Sequence, residues 1–254
     1  MFTLKLKTVI SSLVLAVLFA VLTVTNYQVG AAPVYFNGSV RKLPIYSVGR
    51  NDNKIAISFD CAYGDEYTDG LLETLKLYGV NCTFFTVEFW VKKYPDKVKK
   101  IVDYGNEIGT HSATHPKMSK LSKDEMVKEL TSSVAAIEGV TGKKVEVFRP
   151  PYGDYNDLLI ETAASLNLYS IQWDVDSLDW KNLSAKQIVN RIVGKTKSGS
   201  IILCHNNGLH TLEALPYVLG ELKQKGYKFV KISDLIYKDN YEINSFGKQI
   251  KKSN

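Results

Sequence analysis

The feature that most constrains the fold of this chain is a regular alternation of short apolar segments and longer segments of helical periodicity, which starts at Lys54. The short segments are rich in β-branched residues, which favour strands, and lie at residues 55–59, 81–87, 107–110, 145–148, 169–173, 200–204 and 228–232. The predicted helices lie at residues 68–77, 95–104, 123–141, 155–166, 185–196 and 211–225. Because parallel strands need a crossover connection, this alternation predicts a parallel sheet, either doubly wound or closed into a barrel.

Polar and charged residues directly follow most of the predicted strands. They are Asp60, His111, His115, Arg149, the stretch at 174–179 and His205. In a parallel barrel these positions fall on the rim formed by the C-terminal strand ends, where active sites are built. The sequence therefore predicts one site assembled from several strand ends. No glycine-rich phosphate loop follows the first predicted strand, so nucleotide binding loses its main support.

The N-terminal end of the chain differs from this central region. Lys5 and Lys7 precede an apolar stretch at residues 8–25, and small residues follow at 29–32, which is the pattern of an export signal. The apolar stretch is about as long as the roughly 20 residues that cross a bilayer. Residues 1–32 are therefore expected to be a signal peptide or an N-terminal membrane anchor. The remainder would be extracytoplasmic, either secreted or anchored to the cell membrane.

Length and charge limit the number of domains and the classes of partner. A chain of 254 residues, 45% of them hydrophobic, has room for one large domain. We place this domain at residues 54–237, after a lead-in segment at 33–53, and expect a polar, disordered tail at 238–254. Most of the formal charge of +6 lies at the two ends. The central region is near neutral and lacks the basic stripe of a nucleic-acid-binding protein.

The pair His111 and His115 is the clearest candidate for metal binding. Two histidines four residues apart can direct both imidazoles at one ion, from a helical turn or from a loop held by a strand end. His205 follows a second apolar segment and is interpreted as part of the same site. Three scattered cysteines are too few for a disulfide framework in an exported chain of this size.

Five short motifs occur in order along the central region. They are Ser58-Phe59-Asp60-Cys61, His111-Ser112-Ala113-Thr114-His115, Arg149-Pro150-Pro151-Tyr152-Gly153, Asp176-Ser177-Leu178-Asp179-Trp180 and Leu203-Cys204-His205. Over residues 54–237 the chain resembles the polysaccharide deacetylases, carbohydrate esterase family 4 with the NodB homology domain, and is most similar to their sporulation-associated, PdaB-type branch. The resemblance implies an α/β fold, a distorted (β/α) barrel of about seven parallel strands. It also implies metal-assisted removal of an acetyl group from an N-acetylated sugar.

The same resemblance implies a divalent metal and a catalytic base. His111 and His115 would bind the ion, expected to be Zn²⁺, with Co²⁺ or Mn²⁺ as alternatives. Asp60 would take a proton from the attacking water. Arg149, which contacts this aspartate in the family, would keep the carboxylate ionised and correctly aimed.

A catalytic acid and a substrate pocket are implied as well. His205 would protonate the departing amine, and Asp179 would hold His205 charged and oriented. The backbone N–H of Tyr152 would stabilise the oxyanion together with the metal. Leu203 and Trp180 would line the small pocket for the acetyl methyl group.

Cys61 departs from the family pattern, in which most active members carry a second carboxylate as a metal ligand. Three interpretations are open. The Cys61 thiolate could complete a Zn²⁺ site with the two imidazoles. Alternatively, His111 and His115 could hold the metal with waters, helped by Asp65 or Glu66. In the third interpretation the site holds no metal, and the protein binds glycan or serves as a scaffold.

These observations predict a metal-dependent N-deacetylase that acts on a cell-wall glycan, with peptidoglycan amino sugars as the expected substrate. The export-type N-terminal segment agrees with such a partner and, if it is retained, would contact the membrane. The alternatives are a glycan-binding or assembly protein of the cell envelope or spore, and an O-acetyl esterase acting on a polysaccharide. The residues fit an amide and an ester substrate equally.

Overall fold

The computed structural model of the protein describes residues 41–252. The predicted signal or anchor at residues 1–32 and the first part of the lead-in segment, residues 33–40, lie outside the described residues. Between residues 41 and 252, no helix is long and apolar enough to cross a membrane.

A parallel sheet of seven strands forms the centre of the fold. In chain order the strands between residues 41 and 252 are β1 (Ser47–Val48), β2 (Lys54–Cys61), β3 (Thr83–Thr86), β4 (Glu107–Thr110), β5 (Val147–Phe148), β6 (Tyr169–Ser170), β7 (Val175–Asp176), β8 (Ile201–His205), β9 (Lys228–Phe229), β10 (Tyr241–Ile243) and β11 (Lys248–Lys251). The order across the central sheet is β6-β5-β4-β3-β2-β8-β7, its neighbours are parallel, and β9 pairs with the beginning of β2. The predicted distorted (β/α) barrel of about seven parallel strands is confirmed.

The helices pack on the outside of this sheet, and local capping signals define several of their ends. Within the same residues they are α1 (Thr68–Leu77), α2 (Glu88–Lys93), α3 (Pro95–Asp103), α4 (Lys123–Thr141), α5 (Asp157–Ser165), α6 (Ala185–Lys195), α7 (Thr211–Gln224) and α8 (Ile232–Leu235). Ser122 and Glu125 form the predicted capping box at the start of α4. The same helix ends at Gly142, whose φ of 63° is readily adopted by glycine.

The two faces of β2 belong to different parts of the core. Ile55, Ile57, Phe59 and Cys61 are buried in the larger cluster, which also contains the buried faces of the helices. Ala56, on the opposite face, belongs to the smaller cluster inside the curved sheet. Successive side chains of a strand point to opposite faces. Asp60 therefore lies on the inner face of the sheet, whereas the next residue, Cys61, lies on the outer face.

The lead-in segment and the C-terminal region form a second, smaller sheet in the order β1-β11-β10. Isolated bridges also join Ile45 to Ile171 and Ser47 to Ser200, next to strands of the central sheet. The prediction of a disordered tail at 238–254 is wrong for β10 and β11. The polar composition favoured a solvated tail, but the buried Gln249 side chain forms two hydrogen bonds with the backbone of Tyr237, at 2.8 and 2.7 Å.

Candidate active site

The C-terminal ends of the parallel strands surround one cleft of about 650 Å³. Its lining includes Asp60, Ala62, Tyr63, His111, His115, Tyr152, Trp173, Asp176, Trp180, Leu203, His205 and Asn207. The structure therefore brings together residues from all five sequence motifs. Asp60 on β2 and His205 on β8 are register partners on neighbouring strands, so both side chains lie on the inner face.

The two histidines of the predicted metal pair converge on one point. The Nε2 atoms of His111 and His115 are 3.2 Å apart. Two nitrogen ligands of one tetrahedral Zn²⁺ ion would be separated by about 3.3 Å. The Nδ1–H of His111 donates to the carbonyl oxygen of Arg149 at 2.7 Å, which leaves Nε2 as the free acceptor. Burial lowers the pKa of His111 to about 4, so this imidazole is neutral, the form that binds metal.

The loop between these histidines has unusual backbone angles, and one carboxylate accepts three of its hydrogen bonds. Ser112 has a φ of 72° and His115 a φ of 60°, both unusual for residues other than glycine. Glu129 on α4 accepts hydrogen bonds from the backbone N–H groups of Ala113 and Thr114, each at 2.8 Å. The Thr114 hydroxyl donates to the same carboxylate at 2.7 Å. Glu129 thus helps to fix the path of the chain between the two imidazoles.

Asp60 is buried and paired with a buried arginine. Arg149 Nη1 donates to Asp60 Oδ1 at 2.7 Å, and His111 Nε2 lies 3.6 Å from Asp60 Oδ2. Burial raises the pKa of Asp60, but the charge of Arg149 and the nearby histidines outweigh this effect, and the pKa lies below its usual value. The carboxylate is therefore ionised near neutral pH, as a general base must be.

His205 lies in the same cleft as Asp60 and is paired with a different carboxylate, that of Asp179. Its Nδ1–H donates to Asp179 Oδ1 at 2.7 Å, and its backbone N–H donates to Asp179 Oδ2 at 2.8 Å. Asp179 also accepts from the Thr211 hydroxyl at 2.7 Å and from the backbone N–H of Trp180 at 2.9 Å. Burial lowers the pKa of His205, but Asp179 raises it more, and the pKa lies above its usual value. The dyad favours an imidazolium that can donate a proton.

Cys61 does not lie with the histidine pair. Its thiol is fully buried in the larger core cluster, on the outer face of β2, and contacts the carbonyl oxygen of Phe59 at 3.8 Å. Burial raises the pKa of the thiol well above its usual value, whereas metal binding requires a thiolate. The structure therefore contradicts the interpretation of Cys61 as third ligand, and the alternation of side chains along β2 explains why.

The described part of the chain offers no other side chain that completes the set. Among residues 41–252, no three histidine, cysteine, aspartate or glutamate side chains form a group that could hold a metal ion. Asp65 and Glu66, the other candidates, do not line the cleft. The residues present fit a metal at two ligand positions, supplied by His111 and His115.

The predicted substrate residues lie around the same cleft. Leu203 is buried, as expected for a pocket floor, while Trp180 and Tyr152 are exposed at the rim. Tyr152 has a φ of 59°, and its ring centroid is 4.5 Å from that of His115. Trp173 and Tyr63 also line the cleft and were not predicted. Tyr63 lies three residues after Asp60, in the loop that follows β2, so its position near the cleft could have been predicted from the sequence.

A distorted (β/α) barrel whose cleft holds a converging imidazole pair, an aspartate paired with arginine and a histidine paired with aspartate is typical of a hydrolase site. Residues 47–171 match the family model for polysaccharide deacetylase. A peptidoglycan N-acetylglucosamine deacetylase of Bacillus cereus is 35% identical, with 75% of this chain and 92% of the relative covered. The chain belongs to the polysaccharide deacetylase family, carbohydrate esterase family 4.

Two further relatives show the range of this family. The peptidoglycan N-acetylmuramic acid deacetylase PdaC of Bacillus subtilis is 33% identical over 74% of this chain, which spans 40% of that protein. A family 4 pseudoenzyme from Bacillus anthracis has a solved structure with a TM-score of 0.74 at 37% identity, covering 76% of this chain and 68% of the other. A mutant of that pseudoenzyme is described as having restored enzymatic activity, with the same TM-score. The fold is therefore common to active and inactive members.

Proposed function

We propose that this protein is a metal-dependent N-deacetylase that removes acetyl groups from amino sugars of a cell-wall glycan, with peptidoglycan as the substrate. The observation that carries this proposal is that one cleft combines Asp60 paired with Arg149, His205 paired with Asp179, and the two converging imidazoles of the histidine pair. The deacetylase relatives support the glycan as substrate. The export-type N-terminal sequence supports an extracytoplasmic location, secreted or anchored to the membrane.

The chain's own residues provide the proton transfers of such a reaction. His111 and His115 would hold the ion, which supplies Lewis acidity toward the acetyl carbonyl and the attacking water. Asp60 takes the proton from that water, and Arg149 keeps Asp60 ionised and directs one carboxylate oxygen away from the reaction. The bond from Arg149 leaves the other oxygen, Oδ2, on the side of His111.

The leaving group requires a proton from a different residue. An amide nitrogen is a poor leaving group until it is protonated, and His205, whose pKa is raised by Asp179, is the group on the cleft suited to supply this proton. Its Nδ1 is bound to Asp179, so Nε2 is the atom available to the substrate. Leu203 and Trp180 would enclose the acetyl methyl group, which excludes bulkier acyl groups.

A second candidate function is supported by the position of Cys61, which lies away from the histidine pair and so does not supply a third ligand, and by the pseudoenzyme relative. With two protein ligands among the described residues, the site lacks the third that catalytic zinc sites usually have, and a protein of similar fold is a pseudoenzyme. In this alternative the protein binds the glycan through the same cleft and serves in envelope assembly without hydrolysing it.

Acetate release separates the two functions. Purified protein is incubated with N-acetylglucosamine oligomers, peptidoglycan and an O-acetylated xylan, each with Zn²⁺, Co²⁺ or Mn²⁺. The deacetylase predicts acetate from the amide substrates and a loss of at least about 100-fold in Asp60→Asn and His205→Ala, with Glu221→Ala as the matched control. Oligomer binding without acetate from any folded sample would instead support the glycan-binding function. Acetate from xylan alone would indicate an esterase.

A further inference from the structure

An aromatic pair beside the cleft has no part in the chemistry described above. Tyr63 is 60% exposed and Phe89, on α2, is 38% exposed, and their ring centroids are 5.8 Å apart. Tyr63 lines the cleft, with its ring centroid 6.1 Å from that of His115. Adjacent aromatic rings that remain in water next to a binding cleft are typical of an interaction surface.

The pair connects the cleft to a second cavity. This cavity has a volume of about 540 Å³ and lies over α2, α4 and the loop between the two histidines. Its apolar lining consists of Phe89, Ala113, Pro116 and Leu121. Tyr63 lines the first cavity and Phe89 lines the second, so their ring contact bridges the two. A polymer that extends from the cleft past Tyr63 toward the second cavity would therefore contact these rings.

The rings fit one class of occupant, the pyranose ring of a glycan. A pyranose has an apolar face of C–H groups and a polar edge of hydroxyls, and an exposed aromatic ring matches the first while leaving the second in water. The other rim of the cleft also carries exposed aromatic rings, those of Tyr152 and Trp180. A polymer is longer than the cleft, so the sugars next to the reacting unit must leave it along one of these rims.

We propose that Tyr63 and Phe89 form a second sugar-binding subsite, the aromatic shelf. The shelf stacks against the sugar next to the acetylated one and directs the chain toward the second cavity. The identity of the occupant as a glycan rests on the proposed function. Its consequence is a preference for oligomers over short substrates.

The test compares substrate lengths in wild type, Phe89→Ala, Phe89→Tyr and the double variant Tyr63→Ala/Phe89→Ala. Acetate release gives kcat/KM for N-acetylglucosamine dimer and hexamer, and calorimetry gives the hexamer Kd. Wild type is expected to prefer the hexamer. We expect Phe89→Ala to lower the hexamer-to-dimer ratio of kcat/KM about five- to tenfold and to weaken hexamer binding similarly, because the stacking surface is removed. Phe89→Tyr retains an aromatic ring, so its hexamer-to-dimer ratio of kcat/KM and its hexamer Kd should stay close to those of the wild type.

The control is Tyr217→Ala, which removes a ring that is 63% exposed and lines neither cavity. It should leave the ratio and the Kd unchanged. If Phe89→Ala lowers dimer and hexamer turnover equally, or leaves hexamer binding intact, the aromatic shelf is disproved while the deacetylase function stands. If the wild type releases no acetate, but Phe89→Ala binds the hexamer more weakly than the wild type does, the aromatic shelf is supported and the deacetylase function fails.

Discussion

Replacing Glu129 tests how the histidine pair is positioned. This carboxylate is half-buried on α4 and accepts three hydrogen bonds from the loop that separates His111 and His115. In Glu129→Ala the loop retains its bonds from the His115 N–H to the Ser112 hydroxyl and from the Ser112 N–H to the Thr110 hydroxyl. The chain should therefore fold, but its positive φ angles would lose their main support. We expect weaker metal binding rather than unfolding.

The magnitude follows from the three hydrogen bonds that the substitution removes. A hydrogen bond to a charged group contributes roughly 1.5–3 kcal/mol, and three such bonds set an upper bound. Water replaces part of this interaction at a half-buried position, so we expect a net loss of about 2 kcal/mol. Because 1.4 kcal/mol corresponds to a factor of ten, Zn²⁺ binding should weaken roughly 30-fold. Glu129→Gln retains one carbonyl acceptor for the two backbone donors and should weaken binding only about fivefold.

The assay is a titration of metal-free protein with Zn²⁺ against a chromophoric chelator, with the absorption spectrum of bound Co²⁺ as a report on ligand geometry. Circular dichroism checks folding, and Glu221→Ala, which removes an exposed carboxylate outside both cavities, is the control. A folded Glu129→Ala protein whose Zn²⁺ Kd stays within about twofold of wild type would refute this reasoning. A wild-type protein that takes up no Zn²⁺ or Co²⁺ would refute the metal pair itself.

Three further substitutions test other parts of the structure. Cys61→Ala should leave the Zn²⁺ Kd unchanged but lower the free energy of unfolding by about 1 kcal/mol, because the thiol packs in the core; tighter or abolished metal binding would contradict its outward position. Asp179→Asn removes the charge that raises the pKa of His205 and leaves the burial that lowers it, so the basic limb of the kcat/KM profile should move to lower pH; an unmoved limb would exclude His205 as the acid. Gly109→Ala places a Cβ 2.7 Å from the side chains of Phe85 and Val147, so thermal unfolding should show a free energy of unfolding lower by about 1–3 kcal/mol. An unchanged Tm would mean that the neighbouring side chains move to accommodate the methyl group.

Much of the barrel could be predicted from periodicity and capping. The bounds of α1 and α4 agree with the predicted segments 68–77 and 123–141, because an apolar stripe and, for α4, a capping box define them. β7 was missed, since two residues are too few to show a period. α2 was missed as well, because it follows β3 with only one residue between them and no polar capping side chain marks its start.

Most residues of the site were predicted from the sequence, but some of their positions were not. The motifs named the residues that converge, including the His205–Asp179 and Arg149–Asp60 pairs. The outward position of Cys61 follows from strand alternation, and counting from the apolar residues at 55, 57 and 59 would have revealed it. Glu129 could not be found in this way, because nothing in the sequence of α4 indicates which of its carboxylates faces a loop from another strand.

The pairing of β1 with β11 has a consequence for how the chain folds. In this pair Ser47 lies beside Lys248. Among the described strands β1 is synthesised first and β11 last, so β1 cannot form this pair until β11 has been synthesised. Joining them closes a loop that contains the whole central sheet, and such long-range pairing forms slowly. Until then β1 has an unpaired edge, which can pair with other chains. The small sheet therefore covers this edge of β1 only after β11 has been synthesised, and removal of β11 by a protease would expose the edge again.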